Sequence, residues 1–198
     1  LIFGILIVAF LSYKTHDDFP YYHFPYTFYL TQENLIIGTG NLNHGFRTPS
    51  SLFYLNSLFY LPAVKFYSFH IGALIIFGVS NLILIFKLKN DYDLKKYDFI
   101  FILTLLAFLF INIFFYRLSE HGTDRSAQIL IFILFIEILS LIRSNIINNK
   151  FISKIFILLG IIISLKAFYV LYLILLIPIL YFIPKKNFLI TIKMIFKN

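Results

Sequence analysis

The sequence predicts an all-α, polytopic transmembrane helix bundle with short surface-lying helices in its first outer loop. Three observations carry this. Of 198 residues, 60% are hydrophobic and only 13% charged, with a mean hydropathy of +0.88; a soluble domain of this size has about a quarter charged residues. The apolar residues fall in long blocks, and ~20 residues rising ~1.5 Å each cross a hydrocarbon core of ~30 Å. Lysine and arginine are unevenly shared between the segments that separate those blocks, as in proteins oriented across a bilayer.

Taken in order, residues 1–13 are read as the outer end of a first span and residues 14–65 as an extracytoplasmic loop. Spans follow at 66–86, 99–116 and 128–142. The last apolar block, 155–183, holds 29 residues, roughly 44 Å as one straight helix and too long for a single span. It also contains Lys166, and a lone ammonium at the bilayer centre costs about 3 kcal/mol. Both difficulties disappear if the block is a hairpin, 155–165 and 168–183, turning at Lys166. The inside segments 87–98, 143–154 and 184–198 then carry eleven lysines and arginines, against five in the longer outside segments 14–65 and 117–127, which is the expected bias. Leu1 is not a methionine and the chain stops as another apolar stretch begins, so a single membrane domain from the N-terminal portion of a longer protein is expected.

The net charge of +8 does not point to nucleic acid, because the lysines sit between apolar runs rather than on one soluble face. Cysteine is absent, which removes disulfides, thiolate metal sites and cysteine nucleophiles. Heavy use of Ile, Phe, Lys and Asn without Trp fits an AT-rich bacterial genome. The expected location is therefore the bacterial inner (cytoplasmic) membrane, with the active face periplasmic or extracellular. All five histidines, His16, His23, His44, His70 and His121, fall on or near that outer side.

The loop 14–65 is crowded with aromatic residues from Phe19 to Tyr29, rings that favour the headgroup zone. Pro20 and Pro25 argue against one continuous helix through 14–30. A short helix is expected near 26–34, and another that starts after Thr48-Pro49-Ser50 and runs to Leu61, before Pro62. Asp17 and Asp18 stand just beyond the first span. Neighbouring carboxylates at such a boundary can act as a general base or share a divalent cation. Spacing alone also fits an ordinary polar boundary. Arg47 can grip a phosphate through its planar fork, and Glu137 inside the fourth span is expected to pair with a polar neighbour. His16, His23 and His44 match no compact metal-ligand spacing. No cofactor and no metal-ligand set is fixed by these residues.

Four stretches resemble the type C glycosyltransferases, multi-spanning enzymes that use polyprenyl-phosphate sugars, in the branch of the protein mannosyltransferases and the lipid A aminoarabinose transferases. His16-Asp17-Asp18-Phe19-Pro20-Tyr21-Tyr22 is similar to that branch's acid pair and aromatic surface helix. Thr48-Pro49-Ser50-Ser51-Leu52-Phe53-Tyr54 is similar to the start of its second surface helix. Thr123-Asp124-Arg125-Ser126 and Ser164-Leu165-Lys166-Ala167, with Pro178 beyond, resemble its later outer turns. The chain departs from the pattern where Asp18 replaces a glutamate and Ser50 a second proline. The resemblance implies a polyprenyl-phosphate-linked sugar as donor and a lipid or glycan as acceptor. It also implies Asp17 as base, Asp18 as an orienting acid, and Lys166, Arg125 and Arg47 toward the donor phosphate, supported by His16, Asp124 and His121. Two other classes remain open on composition alone: a lipid or polyanion transporter or flippase, and a non-catalytic membrane assembly subunit.

Overall fold

The computed structural model describes residues 2–12, 17–34, 37–118, 123–144 and 149–182, with the backbone only for 149–150 and 180–182. His16, His121 and the basic residues from Lys185 onward lie outside the described residues. The described chain is helical throughout, its one β feature being an isolated bridge between Leu61 and Lys65. The α-helices are α1 (Ile2–Leu11), α2 (Phe24–Gln32), α3 (Ser51–Ser57), α4 (Ile71–Asp93), α5 (Phe99–Phe114), α6 (Asp124–Ser144), α7 (Asn149–Leu165) and α8 (Leu176–Phe182). Two helical stretches are long and apolar enough to cross a membrane: Phe66–Asp93, which contains α4, and α6.

The helices form because their residues leave the backbone no competing partner. α5 is apolar except for Thr104 and Asn112 and has no Gly or Pro; it is started by Asp98, whose carboxylate accepts from Phe101 N at 3.0 Å. Ser50 caps α3 in the same way, accepting from Leu52 N at 3.2 Å. α3 is shorter than the run to Leu61 that the sequence suggests. Phe59 N and Tyr60 N reach back only three residues, to Asn56 and Ser57 carbonyls, and this tighter turn ends the α-helix.

The proline-rich entry to α2 also differs from the sequence expectation. The backbone stays helical from Phe19 to Gln32, by opening into one π-helical turn over Phe19–His23 in which Phe24 N donates to the Phe19 carbonyl. Pro20 sits in the first turn, where no N–H is needed. Pro25 sits at the start of α2, and the wider turn absorbs its missing donor.

α6 is the centre of the packing. α4, α5, α7 and α8 all contact it, and Ile129, Ile133, Leu134 and Ile136 are almost wholly buried. α7 turns Ile152, Ile155, Leu159 and Ile162 toward it, positions that recur on one helix face. Its opposite face, with Ile157 and Ile161, is apolar and exposed. α1 lies against α4 at Gly78, where an added Cβ would stand 3.1 Å from the Leu6 side chain, so the glycine permits that approach. Further along, Asn112 Nδ2 donates to Asn81 Oδ1 at 2.6 Å and to the Phe108 carbonyl at 2.8 Å, joining α4 to α5 inside an apolar setting.

Side-chain bonds fix which ends lie together. Asp98 pairs with Arg143, and Lys87 Nζ donates to Ser140 Oγ at 2.9 Å, so the end of α4, the start of α5 and the end of α6 share one end of the bundle. At the other end the start of α6 meets the end of α7. α7 stops at Leu165, Lys166 is extended (φ −157°, ψ 123°), and a 3-10 segment Ala167–Leu175 leads into α8. Because α8 touches α6, the chain folds back at Lys166 instead of continuing away. Pro178 falls in the first turn of α8, where it costs no hydrogen bond.

Shortening a side chain on the central helix is expected to cost far more than shortening one on the outer face of α7. Ile133→Ala should destabilise by about 3 kcal/mol, whereas Ile157→Ala should stay within about 0.5 kcal/mol. Thermal unfolding of the solubilised protein, followed by far-ultraviolet circular dichroism, reads the difference.

Candidate functional site

The chain reversal at Lys166 presents an ammonium to the first residue of α6. Lys166 Nζ lies 2.7 Å from both carboxylate oxygens of Asp124. A 3-10 turn places residues i and i+3 on one side, and Tyr169, three residues on, donates its hydroxyl to Asp124 Oδ1 at 3.2 Å. One carboxylate thus accepts three hydrogen bonds from the same turn. The helix N-terminus beneath it also favours negative charge there. The pair is half-open to solvent, so its contribution to stability is at most about 1 kcal/mol. Its significance is positional.

A second carboxylate stands close by. Asp18 opens the helical entry to α2, and Tyr22, one turn on, is on the same face. Tyr22 hydrogen-bonds Asp18, and its pKa is pushed upward by burial first, then by the negative charges of Asp18 and Asp124. Tyr22 therefore lies within electrostatic reach of both acids and connects the first-loop acid to the Asp124–Lys166 pair. Asp17 is exposed and makes no hydrogen bond or ion pair among the described residues.

The loop over Tyr22 is held by short-range polar contacts. Asn43 Nδ2 donates to the Tyr21 carbonyl at 3.2 Å, while its Oδ1 accepts from Gly45 N at 2.8 Å. Gly45 has to be glycine, because a Cβ there would overlap the Tyr22 ring. Beneath, α3 is tied to the last turn of α7 by Ser51 Oγ and Ser164 Oγ, 2.9 Å apart. This contact sits two residues before Lys166.

The remaining candidates separate. Arg125 is next to Asp124 in sequence, yet its guanidinium donates to the Phe114 carbonyl at 3.1 Å and lies 5.2 Å over the Phe115 ring. It ties the end of α5 to the start of α6. Arg47 is exposed, and its Nε donates to the Gly40 carbonyl at 3.3 Å, closing its own loop. His23 is buried edge-on against Tyr22, with ring centroids 4.3 Å apart, while His44 is exposed. No group of three or more His, Asp or Glu among the described residues is placed to hold a metal ion.

Tyr22 and Tyr169 are the members of this cluster that residue-by-residue reading misses. The available signal was spacing: Tyr22 is four residues after Asp18, and Tyr169 is three after Lys166.

Replacing Asp18 by Asn should lower the pKa of Tyr22, since one of the charges opposing its ionisation is gone. The value should remain above that of a free tyrosine, because burial is the larger cause. Titration of ¹³C-labelled tyrosines by NMR, with Tyr22→Phe assigning the signal, checks both statements.

No curated protein and no solved structure matches this chain. A family model does, over residues 1–197, described as a domain of unknown function (DUF8201), and the chain belongs to that family.

Proposed function

We propose that this chain is the membrane-embedded part of a glycosyltransferase of the type C class. In this reading it moves a sugar from a polyprenyl-phosphate donor to an acceptor hydroxyl on the extracytoplasmic side. The bundle is polytopic: besides the two stretches of spanning length, the shorter apolar helices α1, α5, α7 and the fold-back pair after Lys166 complete it. Support comes from the exposed apolar faces on α5 and α7, which a bilayer would cover, and from the basic residues gathered at the opposite end of the bundle.

The observation that carries the reading is the cluster of Asp124, Lys166 and Tyr169, with Asp18 and Tyr22 hydrogen-bonded to each other and Tyr22 within electrostatic reach of Asp124. These residues come from three separate segments and gather at one end, beside the aromatic helices α2 and α3. Acid and cation side by side is what phosphate departure with proton removal needs. Lys166 has three donor hydrogens and directs its nitrogen at both oxygens of Asp124. An approaching donor phosphate shares that ammonium, which then stabilises the charge that grows as the lipid phosphate leaves. Asp18 is engaged by Tyr22, so it orients. Asp17, exposed and without a protein partner among the described residues, takes the proton from the acceptor hydroxyl as it attacks the anomeric carbon. The C–O bond to the lipid phosphate breaks as the new glycosidic bond forms, with inversion.

Asp17→Asn is expected to abolish sugar transfer in membranes, with unchanged membrane insertion; transfer at the wild-type rate would remove Asp17 from the mechanism. Orientation is tested independently. A periplasmic reporter fused after Leu61 should be active, and one fused after Lys95 inactive. Activity at both positions, or at neither, would refute the multi-pass topology.

A further inference from the structure

Between α3 and α4 the chain makes a turn that faces away from the bundle. Every residue from Leu61 to Tyr67 is exposed, although Leu61, Val64, Phe66 and Tyr67 are large and apolar. Leu58, on the approach from α3, is 77% exposed. The turn is nonetheless held in one shape. Lys65 N donates to the Leu61 carbonyl at 2.6 Å, and the buried Ser68 hydroxyl reaches the carbonyls of Phe59 and Lys65. Lys65 itself takes φ 52°, a backbone conformation that residues with a Cβ rarely adopt. A fixed, strained turn that displays apolar side chains outward is unfavourable against water.

Connectivity decides what lies over it. Phe66 and Tyr67 already belong to the stretch Phe66–Asp93, long and apolar enough to cross a membrane. Along that stretch Ile75, Val79, Leu82 and Phe86 are exposed at four-, three- and four-residue steps, which puts them on one face of α4. With that face against lipid, as in the topology proposed above, the turn at its head stands at the bilayer boundary. Tyrosine rings favour that zone. Lys65 can lay its methylene stem along the apolar side chains and keep its ammonium at phosphate level. The backbone limits the depth. Pro62 has no N–H, and among the described residues no backbone carbonyl accepts from Ala63 N or Val64 N. Those two amides need water or headgroup oxygens, so the turn stops short of the hydrocarbon core.

We infer that Leu61–Tyr67 is a shallow membrane wedge, with Leu61, Val64 and Tyr67 set into the headgroup–acyl boundary of the outer leaflet. Through α3, whose Ser51 meets Ser164 two residues before Lys166, the wedge holds the Asp124–Lys166 pair near the lipid surface. The inference rests on the membrane topology proposed above and not on the transfer chemistry.

The chain has no tryptophan, so Val64→Trp places a single fluorophore in the full chain. In phosphatidylcholine vesicles its emission should be blue-shifted from that of tryptophan in water. Bromine near the headgroup end of the acyl chain should quench it roughly twofold more than bromine near the methyl end, as a depth of ~5–10 Å requires. Leu61→Trp, on the other limb of the turn, should give the same order. Leu106→Trp, on the exposed face of α5, is the reference for the hydrocarbon core and should give the reverse order. Circular dichroism verifies that each variant is folded. If Leu106→Trp is quenched while the turn variants emit as in water, or are blue-shifted but unquenched, the inference falls and the topology stands. Stronger quenching of the turn variants by the deep bromine would also overturn it. If no variant is quenched, the membrane reading itself fails and takes the inference with it. Sugar transfer enters none of these measurements.

Discussion

The burial of α6 is the constraint from which the rest of the architecture follows. Four other helices pack on it, and ten residues between Ser126 and Leu141 are buried. A helix surrounded in this way has little surface left on which to place charge. Its charged residues are therefore Asp124 and Arg125 in the first turn, Arg143 in the last, and Glu137 between them, and each has a partner from another segment or another helix. Lys166 answers Asp124, the α5 terminus answers Arg125, Asp98 answers Arg143 and Lys154 answers Glu137. The helix that organises the apolar packing thus also sets where the polar groups of its neighbours must stop.

This explains why the Asp124–Lys166 and Glu137–Lys154 pairs lie along α6 and why they differ. At the loop end the Asp124–Lys166 pair is half-open to solvent, so water screens it and its energy is small. Glu137 is buried, and an unpaired carboxylate there would carry a large desolvation penalty. Lys154 therefore belongs to the fold.

Some of this was legible in the residues themselves. The helical class followed from long apolar runs, and the break at Lys166 from the impossibility of burying a lone ammonium midway in a 29-residue block. The cap at Ser50 and the glycine approach at Gly78 are local matters of hydrogen bonding and side-chain size. The continuation through Pro25 was not legible. Proline removes one N–H, and whether the chain breaks or widens into a π turn depends on the packing of the neighbouring aromatic rings. Nor did Arg125 follow its sequence neighbour: a guanidinium beside an aspartate in sequence was drawn to the end of α5 by a carbonyl and an aromatic face, neither of which is adjacent to it in the chain.

By itself the sequence determined the class of structure, the approximate places where helices start and stop, and which residues carry charge. These depend on composition, periodicity and local hydrogen bonding, all of which operate within a few residues. Only the tertiary structure decided which charges meet. Asp124 and Lys166 are 42 residues apart, Ser51 and Ser164 are 113 apart, and no periodicity links them. Their meeting follows from the antiparallel packing of α6 and α7 and from the position of α3 against the end of α7.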